Sequence, residues 1–79
     1  MNVTLYGYQE VDFVSNNNEH ISGANLFVGF SNRFVTGQKT QKYFISSDSE
    51  YFSGVKDIEI GSTIDLVFND RGKIEDIII

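Results

Sequence analysis

Cysteine is absent from this 79-residue chain, histidine occurs once, and no apolar run approaches the roughly 20 residues that span a bilayer. Each absence removes a class of protein. Without cysteine there are no disulfides and no thiolate metal sites, and a lone His20 does not make a histidine-based zinc site. The lack of thiols suits a reducing compartment, and no charged-then-apolar leader opens the sequence. The expected protein is soluble and cytoplasmic, with no membrane role. A nucleophile–base arrangement, a phosphate-cradling glycine loop and a metal constellation are missing too. Glu75 and Asp76 are adjacent carboxylates, but neighbours on a strand point to opposite faces and do not readily share a metal. Asp48 and Glu50 fit helix-cap chemistry better than catalysis. The sequence therefore predicts neither an enzyme nor a cofactor.

A chain of this length forms one domain, residues 1–79, and buries only about 60% of its unfolded surface. With no staples available, stability must come from a compact β-core, from dimerisation, or from both; a homodimer is the expectation. Eleven acids against six bases give a net charge of −5, which argues against indiscriminate attraction to polyanions. Those acids are unevenly placed. From His20 to Ser47 there is no Asp or Glu, while Arg33, Lys39 and Lys42 are all present.

Val3 and Leu5 share one phase of a period-two pattern in Met1 to Val14, and the same phase takes in Val11 and Phe13. Tyr6 and Tyr8 fall on the other side. Gly7 marks a bend in one long first strand, and Ser15 to Asn18 is a turn. Ile21 to Phe30 carries a second strand, with Leu26, Val28 and Phe30 inward and Phe27 outward. The connection Ser31 to Gln38 has its tip at Thr36 to Gln38. Lys39 to Ser46 is a third strand, with Tyr43 and Ile45 opposed by Phe44. Ser47 and Glu50 have capping-box spacing for a short helix using Tyr51, Phe52 and Val55 and ending near Lys56. Thr63 to Phe68 is a fourth strand, Asn69 to Gly72 a hairpin turn with Gly72 at positive φ, and Lys73 to Ile79 a fifth. Its three terminal isoleucines are too apolar for solvent and are expected to pair into the fold or across a subunit interface.

Five strands with a short helix between the third and fourth predict an all-β fold, a small five-stranded OB-like (oligonucleotide/oligosaccharide-binding) barrel. An SH3-like barrel or half of an open β-sandwich has the same periodicity. With the strands in that order, the run from Ile60 to Leu66, Arg71-Gly72-Lys73 and the basic aromatic hairpin together resemble the small single-stranded DNA-binding proteins of phages and mobile elements, of the filamentous-phage type. That resemblance implies a compact OB-fold homodimer that coats single-stranded DNA. Family members carry basic residues on the ribbon after strand one. Here Asn16, Asn17, Asn18, Glu19 and His20 occupy part of it, which shifts the expected contact region toward Arg33 to Lys42.

Cations for phosphates and flat rings for bases are what holding a nucleic-acid strand requires. The candidate rings are Tyr6, Tyr8, Phe27, Phe34 and Phe44, all out of phase with the core or in a turn. The candidate cations are Arg33, Lys39 and Lys42, with Lys73 and Arg71 able to extend the path. The expected activity is sequence-tolerant binding of single-stranded DNA, or of RNA. The plainer reading is a buried hairpin whose polar face is basic, with some rings in the core. A second functional class, an acidic interaction module or DNA mimic that binds another protein, fits the net charge better.

Overall fold

The computed structural model describes residues 1–50 and 52–79. Five strands run in the order β1 (Asn2–Val14), β2 (His20–Ser31), β3 (Gln38–Ser46), β4 (Thr63–Phe68) and β5 (Ile74–Ile78), with one short helix, α1 (Phe52–Val55), between β3 and β4. All pairings are antiparallel and the sheet order is β3-β2-β1-β4-β5. The first strand to be made is thus the central one. β3 and β5 form the two edges, so hydrogen bonding leaves the sheet open instead of closing it into the expected barrel.

One face of this curled sheet holds the core. Val3, Leu5, Ala24, Leu26, Val28, Ile45, Ile64 and Leu66 from the strands are buried, and Val55 and Ile58 cover them from the helix and the turn after it. Each fully buried aliphatic side chain is worth about 1.5–3 kcal/mol relative to exposure, which is what fixes the strand phases. Tyr43 on β3 reaches across to Phe68 on β4, with ring centroids 5.1 Å apart and tilted by 52°. Side chains therefore bridge the gap that the backbone leaves between the two ends of the sheet.

Val11 and Phe13 do not share the face of Val3 and Leu5. Leu5 lies opposite Val28 but Gly7 lies opposite Phe27, so β1 carries one extra residue, Tyr6, at a bulge. A one-residue slip turns every later side chain to the other face. After the bulge Tyr8 points inward, opposite the buried Leu26, and packs against the core. Val11 and Phe13 turn outward, and Phe13 is 50% exposed.

The segment after β3 also departs from expectation. Helix α1 has four residues and no acid in its first turn. Ser47 is not its cap: its N–H donates to the Ser22 carbonyl at 2.9 Å, continuing the β2–β3 ladder by one bond. Asp48 N–H bonds the Ser46 hydroxyl at 3.2 Å. The expected contribution of Tyr51 to the apolar stripe lies outside the described residues. From α1 the chain returns to β1 through Gly61, whose N–H donates to the Leu5 carbonyl at 2.7 Å. The β4–β5 turn is as expected, with Gly72 at φ 75° and the Asn69 carboxamide accepting from the N–H groups of Arg71 and Lys73. Of the terminal isoleucines only Ile77 packs on the core; Ile78 is 52% and Ile79 81% exposed.

Candidate nucleic-acid interface

Strand alternation, read through the β1–β2 and β2–β3 registers, defines the face of the sheet that turns away from the core. It comprises every second residue from Gly7 to Phe13 on β1, from Ile21 to Ser31 on β2, and from Gln38 to Ser46 on β3. No Asp or Glu occurs among these positions, and the single charge is Lys42. The inward phase of the same hairpin is different. It holds Glu10, whose carboxylate meets the Lys56 ammonium at 2.8 Å, and Asp12, paired with His20. The hydrogen bond and charge of Glu10 hold the Lys56 ammonium above its ordinary pKa. The acid-free stretch of sequence has thus become an acid-free surface, with the carboxylates of β1 folded to the other side.

Aromatic rings line that surface. Tyr6, Phe27 and Phe44 are each at least 40% exposed. Two glycines of β2 set where two of these rings lie. Phe44 lies across Gly23, where a Cβ would stand 2.6 Å from its ring, and Tyr6 lies across Gly29, where a Cβ would stand 2.4 Å from its ring. The Tyr6 hydroxyl donates to the Gln38 carboxamide, anchoring the ring to β3. A side chain at either position would collide with the ring beside it, so the bare backbone at Gly23 and Gly29 makes room for Phe44 and Tyr6 on this face.

Two clefts open between the rings. One, of about 420 Å³, is lined by Tyr6, Phe27, Thr40 and Lys42. The other, of about 440 Å³, is lined by Val11, Phe13, Asn25, Phe44 and Lys42. Lys42 belongs to both, so the one cation of the face stands between two aromatic clefts. Asp48 marks the border of the surface, lining a neighbouring cleft with His20 and Phe44.

The structure brings together Tyr6, Phe27, Lys42 and Phe44 from the expected set and separates the others. Tyr8 is half-buried against the core, on the opposite face, so it is not the outward ring that its phase suggested. Lys39 is exposed but opposite Phe30, in the inward phase of β3, because it stands an odd number of positions, three, before Lys42. Arg33 and Phe34 sit in the β2–β3 turn as expected. The turn is closed by Asn32, whose side chain accepts from the Phe34 N–H at 2.9 Å. There the Arg33 guanidinium lies 4.7 Å from the Phe34 ring centroid, and that ring is 82% exposed. Lys73 lies in the β4–β5 turn, outside the three strands whose alternation defines this face. Phe13, Val11 and Asn25 were missed. Gly7 was the available signal, had it been read as the neighbour of an inserted residue and not only as a bend.

Among the described residues no cluster of His, Asp and Glu could hold a metal ion, and no helix is long and apolar enough to cross a membrane. No protein-family model matches the chain, and neither curated proteins nor solved structures give a match.

Proposed function

We propose that the chain binds a single strand of nucleic acid, DNA in the first instance, across the outward face of β1, β2 and β3. The observation that carries this reading is Lys42 standing between two aromatic clefts on a surface without carboxylates, in a protein of net charge −5. Phe27, Phe44 and Tyr6 offer stacking surfaces worth about 1–3 kcal/mol per base, largely irrespective of base identity. Lys42 takes a phosphate between two stacked bases, and the Arg33–Phe34 pair at the turn extends the path. Lys39 and Lys73 contribute only at a distance, and Tyr8 contributes through folding. Acidic surfaces elsewhere repel the strand, which confines it to this face.

An OB-like barrel is part of the same proposal, supported by the strand order and by the Tyr43–Phe68 contact across the open side. So is kinship with the small single-stranded DNA-binding proteins of phages and mobile elements. A homodimer is supported by the unpaired edges of β3 and β5 and by the exposure of Ile78 and Ile79; a mass measured by light scattering at twice the chain mass is the expected result. The same open β5 edge favours the second reading, a module that pairs with another protein by strand addition.

Anisotropy of a labelled oligo-dT, titrated at low and at near-physiological salt, separates the two readings. Saturable binding with a shallow log–log salt slope is expected, about −0.7 for each phosphate contact and so about −1.4 for Lys42 and Arg33 together. Absence of binding at low salt would refute the nucleic-acid reading and leave the protein partner.

A further inference from the structure

The cleft between Phe13 and Phe44 holds more than apolar surface. Asn25 lies within it, opposite Phe44 on one side and Gln9 on the other. Asn25 is half-buried, and among the described residues its carboxamide makes no hydrogen bond within the chain. Asparagine is depleted from strands, and a β-branched residue would suit this middle-of-strand position better. Folding alone does not account for the residue. Two rings wall the cleft, a carboxamide with a donor and an acceptor is open to it, and Lys42 lines it as well.

We propose that this cleft receives one adenine of the bound strand, with the Asn25 carboxamide reading the edge of the base. The inference rests on the single-strand reading above. The Phe44 ring stacks on the base, the Asn25 N–H donates to N7, and the Asn25 oxygen accepts from the N6 amino group, the bidentate match of a carboxamide to adenine. Guanine shows two acceptors, O6 and N7, on the same edge, which sets the Asn25 oxygen against an acceptor. Pyrimidines cover less of the ring. Lys42 meets the adjoining phosphate. The path is otherwise tolerant of sequence, and this is its one position of readout.

The test titrates labelled oligo-dA, oligo-dT and an oligo-dA in which N7 is replaced by carbon, against wild type, Asn25→Ala and Asn25→Leu. The leucine variant keeps the side-chain bulk, and circular dichroism checks that both variants fold. Wild type should bind oligo-dA about tenfold tighter than the other two probes. Both variants should lose the preference for oligo-dA and bind all three probes alike, with the salt slope unchanged. Indifference of wild type to loss of N7, or equal weakening of all three probes in the variants, overturns the adenine site and leaves the single-strand reading standing. If wild type binds no probe, both fall together.

Discussion

Gly23→Ala is the substitution that joins the fold of this protein most directly to its outward face. A Cβ built on Gly23 stands 2.2 Å from the Ile45 carbonyl oxygen and 2.6 Å from the Phe44 ring. The ring can swing, but the carbonyl belongs to the β2–β3 ladder, and an ordinary carbon–oxygen contact needs it to retreat by about 1 Å. Overpacking of this kind costs about 1–3 kcal/mol. Alanine recovers about 0.5–1 kcal/mol of that through its smaller entropy loss in a strand. The net loss of about 1–2 kcal/mol lowers the melting temperature by roughly 5–15 °C in a domain of this size. Thermal melts followed by circular dichroism read this directly. Gly7→Ala is the control: its Cβ meets nothing within 4 Å and its φ is not positive, so its melt should match or exceed wild type. Gly23→Ala should also weaken oligo-dT binding, because the Phe44 ring must move away from β2. A Gly23→Ala melt at or above that of Gly7→Ala would refute the close approach of β2 and β3 at this point.

Lys42→Ala should flatten the salt slope of oligonucleotide binding by about 0.7, while Lys73→Ala leaves it unchanged; titrations at several salt concentrations distinguish the two. Phe44→Ala should weaken binding by about 1–3 kcal/mol at constant slope. Tyr8→Ala should instead lower stability in denaturant melts, by about 2 kcal/mol, without touching the interface. Lys56 is raised above its ordinary pKa of 10.5 by Glu10. A raised cationic group stabilises fully below its unfolded-state value and loses that contribution as pH climbs through the folded one. The melting-temperature advantage of wild type over Glu10→Gln should therefore hold at neutral pH and shrink above about pH 10.5.

Strand existence and the turns were legible in the sequence because each rests on local chemistry. β4 falls on the expected Thr63 to Phe68, and Gly72 takes its positive φ in the turn that Asn69 closes. Within β1, facing was legible only up to Leu5; on β2, β3 and β4 the inward Leu26, Val28, Ile45, Ile64 and Leu66 were as expected. The bulge at Tyr6 shows only in the pairing of β1 with β2, and no periodicity within β1 records it. Half of the candidate surface followed from that one residue: Tyr8 went to the core while Phe13 and Val11 came out. Tyr6 kept its outward place as the inserted residue. The helix was overestimated: it begins only at Phe52, five residues beyond Ser47, whose N–H still belongs to the β2–β3 ladder. Closure was not legible for a related reason: strand order follows from sequence spacing, whereas pairing between β3 and β5 depends on curvature.

The central place of β1 also bears on how fast each part of the molecule can assemble. Its pairing with β2 is closed by the short turn at Ser15 to Glu19, but Val3 meets Ile64 only after most of the chain has been gathered. By loop-closure entropy the second event costs about 2 kcal/mol more than the first. We expect the β1–β2–β3 meander, and with it the whole outward face, to form early, and β4 to dock late. On chevron plots Leu26→Ala should then slow folding, whereas Leu66→Ala should mainly speed unfolding; the reverse pattern would sink this order of events. A nascent chain would then present its outward face before its core was sealed.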